Sequence, residues 1–242
     1  MAVGTIKRFY KTATTSPADG GFDVRLDGRP IRTPAGRALV VPSEALAAAI
    51  ALEWIEQPEA GEIRPLEMPM MRLAATATDR VASQRAKVID DTSRYAGSDL
   101  LCYRADTPTE LVVRQARLWQ PLLDWAAVRY GAKLELADGV RFRSQPQASV
   151  AALTEAVAAH SDCGLSALFN LTAAMGSLVL ALGVSERRLE PLAAFEAAEL
   201  DALHEIEKWG EDPEATSRHQ RLRRDIEAGA RFLELLGPAR IL

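Results

Sequence analysis

Cysteine and histidine are scarce in this sequence, with two and three copies in 242 residues. Cys102 and Cys163 lack the spacing of a zinc site and lie in apolar surroundings, so we expect two buried, reduced thiols. Three histidines offer little material for general-base catalysis. Phosphate-binding loops, dinucleotide-binding turns and nucleophile elbows are also missing, which excludes the commonest sequence routes to nucleotide binding and acyl transfer.

An excess of positive charge is missing as well. The formal net charge is -4 and the isoelectric point is near 5.5, which argues against a general nucleic-acid binder. The first residues show neither a signal peptide nor an import leader, so we expect a cytoplasmic protein. Residues 163–185 carry no charge, but polar residues and glycines interrupt them, so we expect a core helix and no membrane insertion.

The first third of the chain has the pattern of a small sheet. Seven of the thirteen prolines fall in the first 69 residues, which indicates many turns. Apolar and polar residues alternate over 22–26, and Asp27-Gly28 then supplies the pair typical of a tight hairpin. Residues 6–14 and 38–41 predict further strands. Ser43 is a suitable N-cap for a helix that reaches Gln57 and covers this sheet.

After Pro69 the pattern becomes helical. The two patterns together predict a fold of the α+β class. We expect residues 1–70 to form a β-rich domain with one covering helix, and residues 71–242 to form an α-helical bundle. Asp212 as N-cap and Pro213 as the first helical residue mark the start of the last helix. The predicted helices of the bundle are 73–96, 109–130 with a kink or break at Pro121, 148–160, 165–182, 185–208 and 213–236.

Residues 199–214 are strongly acidic, with seven carboxylates against Lys208, and the following residues 218–231 are rich in arginine. One interpretation is that acidic and basic helices pair with each other and do nothing else. Another is that Glu199 and Glu207, on one helical face with Trp209 beside them, form an anchor for a partner's arginines. Both interpretations remain open at this point.

Six short motifs, in order along nearly the whole chain, resemble one protein family, the assembly chaperones that hold the α subunit of the catalytic sector of F-type ATP synthase. The motifs are Arg8-Phe9-Tyr10-Lys11, Leu26-Asp27-Gly28-Arg29 with Thr33-Pro34, Glu53-Trp54 with Gln57, Met68-Pro69, Asp99-Leu100-Leu101-Cys102-Tyr103-Arg104, and Glu207-Lys208-Trp209-Gly210-Glu211-Asp212. One departure is that His204 and Glu205 replace the aromatic residue and glutamine that are usual in the family.

The resemblance implies a small β-rich domain followed by an orthogonal α-helical bundle, no catalytic activity, no cofactor, and binding to the ATP synthase α subunit. The lack of an import leader resembles the bacterial branch, and we expect a monomer when the protein is free. The residues expected to bind the client are Glu199, Glu207, Trp209, Glu211 and Asp212. Those expected to have structural roles are Asp27, Arg29, Glu53, Trp54 and Gln57.

Two other functions compete with this one. A metal-dependent hydrolase would use Glu199, Asp201, His204 and Glu207. However, Lys208 stands where a zinc-protease helix needs its second histidine, and the Glu-x-x-His units of a di-iron bundle are missing. An RNA-binding patch over 218–231 would lack the aromatic platform on which bases stack.

Overall fold

A computed structural model describes residues 7–138, 141–210 and 212–237 of the chain. Contacts divide the chain into two units. The first contains the chain up to Arg85, Ser161–Ala167 and the chain from Arg231 onward, and the second contains Ala86–His160 and Leu168–Ala230. The domain division after residue 70 remains a prediction. The α+β fold class is confirmed, because a small N-terminal sheet precedes a helical region.

The sheet is antiparallel and centred on β2. Its strands are β1 (Ala13–Ala18), β2 (Gly21–Leu26), β3 (Arg29–Pro30) and β4 (Val40–Val41). The predicted hairpin is confirmed, since Asp27 and Gly28, with φ of 47° and 80°, join β2 to β3. The strand expected at 6–14 begins only at Ala13, and β1 pairs with β2 through a further turn.

Helix α1 (Glu44–Ile55) covers the sheet, as predicted. The Ser43 hydroxyl oxygen accepts a hydrogen bond of 3.1 Å from the Leu46 amide, which supplies the N-cap. Leu46 and Ile50 are fully buried and form part of the core beneath the helix. The Ser43 hydroxyl also donates to the Leu235 carbonyl over 2.5 Å, so residues far apart in sequence meet in the first unit.

Helix α4 has the predicted bounds and α10 nearly so, whereas several of the other helices are shorter than the sequence predicts. Three predicted helices are interrupted: a π-helical turn, Ala77–Val81, separates α2 from α3, Gly176 separates α6 from α7, and Glu199 separates α8 from α9. Pro121 lies inside an uninterrupted α4. The helices are α2 (Pro69–Thr76), α3 (Ala82–Ser93), α4 (Thr109–Tyr130), α5 (Gln147–Ala158), α6 (Asp162–Met175), α7 (Leu178–Ser185), α8 (Pro191–Ala198), α9 (Leu200–Trp209) and α10 (Pro213–Leu235).

Asp99 organises the interior of the second unit. Its buried carboxylate accepts hydrogen bonds from the Ser177 hydroxyl at 2.7 Å and the Val179 amide at 3.0 Å, so it caps the start of α7. Burial raises the pKa of Asp99 to about 6, although these bonds oppose the change. Residues 178–184 are all buried, as expected for a core helix. No helix of the described chain has the length and apolar character that a bilayer span requires.

Candidate functional site

Trp209 ends helix α9 with its indole in solvent. The helix stops there because the next residue, Gly210, has a φ of 86°, a conformation that residues with side chains rarely adopt. Trp209 is 87% exposed, although tryptophan is usually buried for most of its surface. A large exposed aromatic residue among charged groups is typical of protein-binding surfaces.

Glu207, on the same helix, forms a bidentate ion pair with Arg114 of α4. The two N–O distances are 2.6 Å and 2.8 Å. Hydrogen bonding to Arg114 holds the pKa of Glu207 below its ordinary value and raises the pKa of Arg114. Because both side chains are partly exposed, the pair contributes little to folding and stays accessible to a partner. Sequence reasoning missed Arg114, which lies 93 residues away from Glu207.

Glu199 has a different environment. Its carboxylate binds Arg218 and, at 2.9 Å, the His219 ring of α10, and the Glu199 side chain is only 11% exposed. This is the contact that the helix-pairing interpretation predicts. The side chain is thus engaged within the protein, and its expected role in client binding remains a prediction.

The last two predicted client-binding residues lie between α9 and α10. Asp212 is the N-cap of α10, because its Oδ1 accepts hydrogen bonds of 2.8 Å from the Glu214 and Ala215 amides. The prediction of Asp212 as N-cap and Pro213 as first helical residue is therefore confirmed. Glu211 lies outside the described residues.

The residues of the alternative hydrolase site have separate partners. Asp201 accepts a hydrogen bond of 2.7 Å from Gln115, whereas Glu199 and Glu207 bind the cations named above. His204 is 3% exposed, and neither ring nitrogen has a hydrogen-bond partner in the described chain. Among the residues that the structure describes, no group of three potential ligands could hold a metal ion. The geometry thus gives the metal-dependent alternative no support.

Glu53, predicted to be structural, caps the start of a helix distant in sequence. Its carboxylate accepts hydrogen bonds from the Met70 amide at 2.7 Å and the Met71 amide at 2.8 Å, at the N-terminus of α2. Burial raises the pKa of Glu53 to about 7, and these two bonds oppose the change. The Glu53-Trp54 motif therefore contacts the start of the helix that the Met68-Pro69 motif begins. Nothing in the sequence indicated this contact.

Trp54 and Gln57 hold the chain around the end of α1. The Trp54 carbonyl accepts a hydrogen bond of 2.6 Å from the Tyr10 hydroxyl, and the two rings pack edge to face. The Gln57 side chain accepts from the Arg64 amide at 2.7 Å and donates to the Glu53 carbonyl at 3.1 Å. These contacts join the end of α1 to Tyr10 and Arg64, and the structural role expected for Trp54 and Gln57 remains a prediction.

Asp27 and Thr33 fix the hairpin region. The Asp27 carboxylate accepts hydrogen bonds from the Lys11 and Thr12 amides, which lower its pKa, whereas Arg29 is exposed on β3. The Thr33 hydroxyl donates to Asp79 of the π-helical turn over 2.6 Å. Asp79 had no signal in the sequence, because its partner is 46 residues away.

Comparison with known proteins decides the family. The sequence model of the family described as ATP12 chaperone protein matches residues 7–127, half of the chain. The chain belongs to the ATP12 chaperone family. The resemblance predicted from the six motifs is therefore confirmed, and a role in ATP synthase assembly follows from membership of the ATP12 family.

Solved ATP12 structures agree with this assignment. The crystal structure of Atp12 from Paracoccus denitrificans is 38% identical, covers 95% of this chain and 98% of its own, and superimposes with a TM-score of 0.89. A mutant of that protein, with lysine in place of an aspartate, is 37% identical and superimposes with a TM-score of 0.89. Its structure covers 95% of this chain and 97% of its own. The mitochondrial protein atp12 of Schizosaccharomyces pombe is 25% identical over 217 residues, which are 85% of this chain and 74% of the yeast protein.

Proposed function

We propose that this ATP12 family protein binds the unassembled α subunit of the F-type ATP synthase catalytic sector and holds it until the ring assembles. Membership of the family supports a role in assembly, and the resemblance of the six motifs supports the α subunit as the client. The observation that carries the proposal is Trp209, a large apolar side chain held in solvent at the end of α9.

The proposed binding surface is centred on Trp209. Glu207, two residues before Trp209 on α9, forms a partly exposed ion pair with Arg114, and Glu211 and Asp212 follow the helix. Aromatic and arginine side chains dominate the free energy of many protein interfaces, and charged neighbours give specificity and raise the association rate. Glu199, which is largely buried, would support this surface through α10.

The proposed mechanism needs binding and no covalent chemistry. An unassembled ring subunit exposes the interface that its neighbours later cover, and such surfaces aggregate. A partner that covers this interface lowers the free concentration of the aggregation-prone form by mass action. We propose that the chain acts as a monomer in the cytoplasm, without a cofactor, and that the incoming ring neighbour displaces it by competition.

The experiment is co-expression of the α subunit with this chain. Under the proposal the two proteins co-purify, and the chain reduces light scattering by the α subunit on warming. Trp209→Ala and the double variant Glu207→Lys/Glu211→Lys should lower binding while thermal unfolding changes little. Val128→Ala is the matched control, because Val128 is equally exposed but lies on α4.

Two results would count against the proposal. If the wild-type chain neither retains the α subunit nor reduces scattering, the client is wrong. If the variants at Trp209 and Glu207 bind like the control, the α subunit remains the proposed client, but the binding surface does not include Trp209 and Glu207.

A further inference from the structure

Helix α1 carries apolar residues on all of its faces, and its two polar residues are Glu44 and Glu53. The sequence from Glu44 to Ile55 is EALAAAIALEWI, and its inner residues, among them Leu46 and Ile50, are buried over the sheet. A helix that is apolar all round is normally covered on every side. This one is covered on one side only.

The opposite side of α1 faces solvent. We call Ala45, Ala48, Leu52 and Ile55 the outer face of α1, and all four are exposed. Leu52 is 51% exposed and Ile55 is 48% exposed, within one turn of each other. The two alanines allow another helix to approach closely, while leucine and isoleucine supply the apolar area that such a contact would remove from water.

Acidic residues flank the outer face. Glu44 begins the helix and Glu56 follows its last residue, and both are exposed. In the described chain neither carboxylate has an ion-pair partner. Arg8 lies at the same end as Glu56, but its guanidinium donates to the Ile55 and Gln57 carbonyl oxygens at 3.1 Å and 2.6 Å. Because Arg8 forms no ion pair with Glu56, the Glu56 carboxylate stays available to a cation of a partner at this end of the face, as Glu44 does at the other end.

This charge pattern selects among possible occupants. If two copies of the chain paired through antiparallel α1 helices, Glu44 of each would approach Glu56 of the other, and like charges oppose such a contact. An anionic lipid surface is disfavoured for the same reason. A polypeptide with an apolar helical face and basic residues at its ends fits both features.

From these observations we infer that the outer face of α1 is a second docking surface, which takes an apolar helical segment of the client flanked by lysine or arginine. The inference rests on the proposed function, because it assumes that the chain binds a client polypeptide. It goes beyond that proposal by assigning a surface in the first unit, separate in sequence from Trp209.

The test measures the affinity of purified α subunit for variants of the full chain by titration calorimetry. Leu52→Lys should weaken binding about tenfold or more, because a charge replaces an apolar contact at the centre of the face. Val128→Lys is the matched control, with the same replacement on an exposed helical position of α4, and should bind like the wild type. Circular dichroism and thermal unfolding verify that both variants are folded.

A second variant keeps the test decisive if Leu52→Lys folds poorly. Glu44→Gln/Glu56→Gln should weaken binding severalfold and reduce its dependence on salt, because two attractive charges are lost.

Unchanged affinity in Leu52→Lys and in the glutamine variant would overturn the inference and leave the proposed function standing. No binding by the wild type would overturn the proposed function itself and remove the client as occupant. Self-association of the wild type that Leu52→Lys abolishes would show that a second copy occupies the face, and would also overturn the inference.

Discussion

The carboxylate of Glu53 reaches the amide of Met70 over 2.7 Å, so a residue of α1 caps the start of α2. The site is buried, and burial raises the pKa of Glu53 to about 7, above the ordinary value of 4.5. The folded state therefore binds a proton on this carboxyl group more tightly than the unfolded state does. Its contribution to stability is fully present below pH 4.5 and is lost as the pH rises through 7.

We therefore expect the free energy of unfolding to fall between pH 5 and pH 8, and Glu53→Gln to flatten this fall by about 2 kcal/mol. Urea unfolding at several pH values measures the slope, which is the readout even if the variant is less stable at every pH. Glu44→Gln, at the exposed first residue of α1, should keep the wild-type slope, because the charge of Glu44 does not contribute to the raised pKa of Glu53. Parallel pH profiles for wild type and Glu53→Gln would contradict this assignment.

His204 is a buried residue of helix α9. Its two ring nitrogens have no hydrogen-bond partner in the described chain, and an unsatisfied buried polar group is costly. His204→Phe should therefore raise the free energy of unfolding by about 1 kcal/mol and the melting temperature by about 2–4 °C. Thermal and urea unfolding test this, with His204→Ala as a cavity-forming control that should destabilise. A phenylalanine variant less stable than wild type would refute the explanation.

Glu199 joins α10 through Arg218 and His219. Its replacement by glutamine leaves Arg218 without its counter-charge and changes, at a largely buried position, the group that contacts the His219 ring, so Glu199→Gln should lower the free energy of unfolding by about 1–2 kcal/mol. Glu205→Gln is the matched control, because Glu205 is exposed and lies on α9, the helix that follows Glu199. Equal stabilities of the two variants, measured by urea unfolding, would mean that the Glu199 contacts contribute nothing.

Asp212 has one structural role and one proposed binding role, and two variants separate them. Asp212→Ala removes the N-cap of α10 and should cost about 1 kcal/mol of stability. Asp212→Asn keeps an oxygen acceptor but removes the charge, so it should unfold nearly like the wild type while binding the α subunit more weakly. If the asparagine variant binds with wild-type affinity, the charge of Asp212 has no part in client binding.

Features set by neighbouring residues could be predicted from the sequence. The Asp27-Gly28 turn, the Ser43 cap and the start of α10 at Pro213 each depend on a few adjacent residues, and all three are present. Trp209 also had a local signal, since it stands beside a cluster of carboxylates in the sequence, which favoured an anchor for a partner. Its exposure agrees with that interpretation, and its role in binding is proposed.

Features set by distant contacts could not be predicted. The break between α6 and α7 depends on Ser177 and on Asp99, which binds it across 78 positions of the sequence. Arg114 and Glu207 are 93 positions apart, so the acidic stretch gave no indication that its partner lies on α4. The periodicity of apolar residues in a sequence indicates which face of a helix is buried, but not which distant side chain contacts that face. For this reason the ion pairs and the helix breaks were not predicted.

The hydrogen bond between Ser43 and Leu235 has a consequence for synthesis of the chain. During translation, α1 emerges from the ribosome 192 residues before the carbonyl that its capping hydroxyl binds. Arg231 and the residues after it also belong to the first unit. The N-terminal sheet and its helix therefore lack these C-terminal contacts until nearly the whole polypeptide has been made.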